Sequence, residues 1–114
     1  MQIVKDKIKI AELQEMAKKM FGSFVKAIVD TEQEIMAVDA PMHSDLFEFL
    51  MEKENSQPKD LWGINFYPEK SGDDFIEFDS MMNLKPALGN KTRGVENKAT
   101  RNKIIQITGK LIKK

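Results

Sequence analysis

One short stretch of this sequence concentrates side chains that could bind an anion. Asn83, Lys85, Asn90, Lys91, Thr92 and Arg93 fall close together, and Lys98, Arg101 and Lys103 follow within the next few residues. Amide, ammonium and guanidinium groups on a glycine-bearing loop ahead of a helix supply the donors that a phosphate or carboxylate requires. Asn83, Lys85, Asn90, Lys91, Arg93 and Arg101 are therefore the expected ligand-binding residues. The competing reading is that they keep a loop soluble and pair with acids elsewhere, since surface pairs carry little weight. The segment GNKTRG lacks the spacing of a phosphate-binding P-loop.

A second set is acidic. Glu77 and Asp79 lie two apart in a strand-like run, so they share a face at roughly 6 to 7 Å, with Asp73 and Asp74 just before them. Such a pair can move protons or hold a divalent ion with waters. An edge strand kept soluble by charge explains the same residues more simply. His43-Ser44-Asp45 has the residue types of a hydrolytic triad, but consecutive helical residues diverge by about 100° and cannot form that relay. With no cysteine and one histidine, neither a thiolate zinc site nor a multi-histidine site can be assembled within the chain. No cofactor is implied.

Net charge is zero over 114 residues, but its distribution is uneven. Residues 1–29 carry six lysines against three acids, a net of +3. Residues 30–79 carry three lysines against fourteen acids, a net of −11, and residues 80–114 carry nine basic residues against Glu96 alone, a net of +8. Opposite patches on one chain suit an anionic ligand or self-association across a two-fold axis. Nothing reads as a signal peptide, and no apolar run reaches the roughly 20 residues of a membrane span. The expectation is a cytoplasmic protein with no membrane contact.

These residues have to be positioned by elements that the hydrophobic pattern predicts. Leu61 to Tyr67 alternates with Trp62, Ile64 and Phe66 on one side. Phe75 to Leu84 answers it, with Ile76 and Phe78 inward, until Met81, Met82 and Leu84 lose phase beyond a bend near Asp79 and Ser80. The intervening Pro68 to Asp74 is turn-rich, so the two runs read as an antiparallel hairpin. A second hairpin is expected from Phe24 to Asp30 and Glu34 to Val38, and Gln2 to Val4 reads as a short strand.

Helices are expected over three stretches. Ile10 to Phe21 carries the stripe Leu13, Met16, Ala17, Met20 and Phe21, with Lys9 as cap, Glu12 in the first turn and Gly22 at the left-handed end. Asp39 is read as the cap of a second helix with Pro41 in its first turn and the stripe Met42, Leu46, Phe49 and Leu50, running to about Lys53. Asn97 caps a third, with Arg101, Ile104, Ile105, Thr108, Leu111 and Ile112 at helical spacing. The fold class is α+β, one domain over 1–114: an antiparallel sheet of four or five strands built from two hairpins, with about three helices mainly on one face. The expected core is Leu13, Met16, Met20, Val25, Val29, Trp62, Ile64, Phe66, Phe78, Ile105 and Ile112. The aromatics Trp62, Phe66, Tyr67, Phe75 and Phe78 are read as core in preference to a base-stacking surface, and nucleic acid is the less favoured partner.

The segments VKAIVD, DLWGINFYP, IEFDSMMNLKP and the GN-x3-G spacing together resemble a family of short prokaryotic proteins catalogued as a domain of unknown function. The resemblance runs nearly end to end. It implies size and fold and transfers no catalytic residue. Where such sequences often read Asn-Ile-Arg-Pro, this one has Asn83-Leu84-Lys85-Pro86, which keeps a cation but lacks the guanidinium fork.

The sequence therefore ranks first a non-enzymatic binding protein that uses Lys85 to Lys103 for an anionic ligand or an acidic protein face, including that of a second copy. The alternative is a small enzyme in which Glu77 and Asp79 work beside Arg93 or Arg101 on a phosphorylated or carboxylated metabolite. Convergence of those groups in one concavity separates the two.

Overall fold

The β-branched run Val25 to Val29 and the alternating run Leu61 to Phe66 form the two longest strands and pair with each other at the centre of the sheet. The computed structural model describes residues 1–114. Its elements are β1 (Gln2–Val4), β2 (Ile8–Lys9), α1 (Ile10–Met20), β3 (Val25–Asp30), β4 (Ile35–Val38), α2 (His43–Glu54), β5 (Leu61–Phe66), β6 (Ile76–Glu77), α3 (Lys98–Leu111) and β7 (Ile112–Lys113). Five strands form an antiparallel sheet in the order β1-β4-β3-β5-β6. The expected α+β fold and both hairpins are present. A parallel pair, β2 with β7, matches Ile8 to Ile112 and ties the first helix to the end of the third.

Every residue of β5 is buried, so both faces of the sheet are covered. On one face Leu13 and Ala17 of α1 and Ile104, Ile107 and Leu111 of α3 meet Val25, Ala27, Val29, Trp62, Ile64 and Phe66. On the other, Leu46 and Leu50 of α2 meet Ile28, Ala37 and Leu61. Two of the three helices thus share a face, and α2 stands alone opposite them. This is why Ile28 and Leu61, off the expected inward phase, are fully buried.

Local signals set the helix ends with mixed success. Lys9 N–H donates to the Glu12 carboxylate at 2.8 Å, and Gly22 follows α1 at φ +92°, donating to Ala17 O. The second helix starts later than expected. Asp39 does not cap it but takes a left-handed φ of +75° to turn the chain out of β4, and Met42 is the cap residue, 59% exposed. The buried stripe of α2 is accordingly His43, Leu46 and Leu50. Met20 and Ile105, both expected in the core, are 43% and 47% exposed. In α3 the stripe runs Ile104, Ile107, Thr108 and Leu111, which leaves Ile105 about 100° off it, and Ile112 belongs to β7 rather than to the helix.

Beyond Glu77 the second strand of the central hairpin stops, earlier than the pattern suggested. The chain becomes an arm that covers the outer edge of β5 without a regular ladder. Asn83 replaces the missing strand: its Oδ1 accepts from Gly63 N–H at 2.7 Å, and its Nδ2 donates to Gly63 O at 2.9 Å and to Arg93 O at 2.8 Å. A carboxamide can do this because it carries an acceptor and two donors in nearly the plane of a peptide group. Close approach is possible only at a glycine. A Cβ on Gly63 would stand 2.4 Å from Ser80 Cβ. Asn90 secures the rest of the arm, donating to Asn83 O and Gly94 O and accepting from Glu96 N–H.

Asn83→Leu removes the partners of the buried Gly63 N–H and C=O and of the part-buried Arg93 C=O, so it should lower the unfolding free energy by about 2 to 4 kcal/mol. Urea denaturation checks this. An unchanged midpoint would contradict the role given to the amide.

Candidate functional site

The six residues expected to bind a ligand do not converge. Asn83 and Asn90 are buried, with their amides engaged by backbone. Arg93 Nε donates to Asp79 Oδ1 at 2.7 Å, while the Arg101 guanidinium lies 4.7 Å from the centre of the Phe78 ring. Lys91 is exposed, and it is its backbone N–H that meets Glu96. Lys85 alone lines an apolar groove.

The carboxylate pair is likewise engaged by neighbouring side chains. Glu77 Oε1 accepts from Asn65 Nδ2 at 2.9 Å and from Tyr67 OH at 3.1 Å, which ties β6 to β5. Asp79 is held by Arg93. No cluster of three or more acidic, histidine or cysteine side chains is placed to hold a metal ion. His43 sits in the first turn of α2, buried, with Nε2 donating to Ile64 O at 2.8 Å. In the neutral ring this assigns the proton to Nε2. Burial holds the His43 pKa below its ordinary value, with Lys26 and Arg93 adding to the effect and the Ile64 carbonyl and Asp79 opposing it.

What the arm does build is a groove of about 420 Å³ between itself, α2 and the 58–60 turn. Phe47, Met81, Met82, Leu84 and Leu88 give it an apolar lining. Its charged residues are Lys59 and Lys85, and no acid lines it. Met81 and Leu88 are 60% and 56% exposed, an arrangement a folded chain does not need for its own core. The sequence signal for this groove is the loss of strand phase at Met81, Met82 and Leu84: apolar residues with no element to bury them.

Lys85 is its distinctive group. Its Nζ donates to Met82 O at 3.1 Å and lies 5.0 Å from the centre of the Trp62 ring and 5.4 Å from that of Phe47. It forms no ion pair, so one carbonyl and two ring faces surround a half-buried ammonium. Burial depresses its pKa, against a weaker raising influence from Asp60.

A helix-covered five-stranded antiparallel sheet with a lysine-bearing apolar groove at its edge defines a small α+β protein. The chain belongs to the family described as Protein of unknown function (DUF5674), which it matches over residues 2–111. Comparison with curated proteins and with solved structures gives no match.

The depressed His43 pKa has a signed consequence. Below pH 6.5 the unfolded chain takes up a proton that the folded chain refuses, so stability falls with decreasing pH between 6.5 and the folded pKa. Thermal denaturation across pH 7.5 to 5 should show this slope, and His43→Gln should flatten it. A histidine titration by NMR at or above pH 6.5 would contradict the assignment.

Proposed function

We propose that this chain is a binding protein for a small apolar anion, with the apolar part of the ligand in the Phe47, Met82 and Leu88 groove and its carboxylate or phosphate against Lys85. One observation carries the reading: a half-buried ammonium without a carboxylate partner, in an apolar groove that no acid lines. A desolvated cation gains most from a charge-assisted hydrogen bond, and the ligand anion supplies the missing partner. The volume lies within the range of small-molecule sites. Met81 and Met82 add side chains that adjust to different apolar shapes.

The charge pattern supports a subordinate reading, self-association. Asp45, Glu48 and Glu52 lie on α2, whereas Lys98, Arg101, Lys103 and Lys110 lie on α3, across the sheet. Contact between those helices on two copies runs head to tail, not across a two-fold axis. Sedimentation at 20 mM and 500 mM salt tests it: assembly at low salt only is expected, and monomer at both salts would end this reading.

Trp62 is the only tryptophan and touches Lys85, so its fluorescence reports the site. Octanoate and octyl phosphate should perturb it saturably, and octanol should bind more weakly. Lys85→Gln should reduce anion affinity roughly tenfold, the weight of one such contact, with an unchanged melting curve confirming the fold. Affinity should also fall at alkaline pH, earlier than for an ordinary lysine. Equal binding of octanol and octanoate, or full affinity in Lys85→Gln, would refute the reading.

A further inference from the structure

The groove has a neighbour. A polar cleft of about 470 Å³ opens beside it, and the two share Lys59 and Leu88 in their walls. Thr31, Asp60, Glu96, Asn97 and Thr100 line this cleft, with Trp62 between them. Trp62 is 6% exposed, and its indole N–H makes no hydrogen bond within the chain. The only buried side-chain polar atom without a partner is Asn65 Oδ1, so the indole N–H reaches solvent, and Trp62 lines this cleft. Lys85 of the groove stacks on the same indole. Lys59 and Leu88 thus wall both cavities, and Trp62, which lines the cleft, carries the groove's ammonium over its ring.

The charges of the cleft select what can enter it. Asp60 and Glu96 face a single cation, Lys59, which is itself paired with Asp60 at 3.2 Å. Glu96 Oε2 accepts from Lys91 N–H, which leaves Oε1 free. A second anion would meet uncompensated carboxylate there, whereas hydroxyl groups both donate to carboxylates and accept from an indole N–H. Resting on the groove reading above, we propose that the ligand continues past Lys59 into this cleft. It then belongs to one chemical class: an apolar chain or ring joined through a single anionic group to a neutral, hydroxyl-bearing head. The apolar part occupies the groove, the anion lies at Lys85 and Lys59, and the head hydrogen-bonds with Trp62, Thr100 and Glu96.

Calorimetry with three probes below their micelle concentrations tests this: octyl phosphate, the octyl phosphate ester of glycerol, and octyl glucoside. The glycerol ester should bind roughly tenfold tighter than octyl phosphate, and octyl glucoside, without the anion, should bind weakest. Thr100→Val and Glu96→Gln should each remove most of the gain from the glycerol head and leave octyl phosphate affinity unchanged. A glycerol ester that binds no tighter than octyl phosphate, or a gain that survives both substitutions, overturns the extended ligand while the groove reading stands. Failure of octyl phosphate itself to bind overturns the groove reading and this inference together.

Discussion

The fold depends on how the outer edge of β5 is closed. A strand edge left open exposes unpaired N–H and C=O groups and invites pairing with another chain. Here β6 covers the far end of β5, at Asn65 and Phe66, and then stops. From Gly63 inward the edge is closed by the Asn83 carboxamide, which returns both backbone hydrogen bonds of one residue. The substitute works only because Gly63 has no side chain in the space that Ser80 fills. Because one amide replaces a strand, the arm from Met81 to Gly94 is free to turn away from the sheet. Its apolar residues then stand against α2 and form a cavity instead of extending the core.

Periodicity made the frame legible in the sequence. Trp62, Ile64 and Phe66 alternate, α1 keeps its stripe with Gly22 at its end, and the two hairpins follow from turn chemistry. The errors arise where tertiary contacts override a local pattern. Ile28 and Leu61 are buried because α2 crosses the opposite face, which their own strands cannot reveal. Asp39 has the composition of a cap, but the chain needs a left-handed residue there to leave β4. Ile105 differs from Ile104 only in phase.

The site was less legible, for a different reason. Asn83 and Asn90 have donor groups that suit an anion, and the same groups suit orphaned backbone; only the surroundings decide between them. In this fold both are buried against backbone partners. Of the six expected residues, Lys85 has a charge in a cavity without a carboxylate. The apolar residues around it carried no chemical signature, and their sequence trace was the absence of a pattern. Once the arm closes the β5 edge, Lys85 is drawn across Trp62 and Phe47, and its desolvation follows from that placement.

Function and fold meet at that ammonium, and its own ionisation is the most direct measure of the account. Lysine labelled with ¹⁵N allows the Lys85 Nζ resonance to be titrated with pH, alone and with octyl phosphate at saturation. A bound anion favours the charged form, so the depressed pKa should rise toward the ordinary lysine value as the groove fills. A Lys85 titration that is ordinary in the free protein, or unmoved by the ligand, would contradict the account.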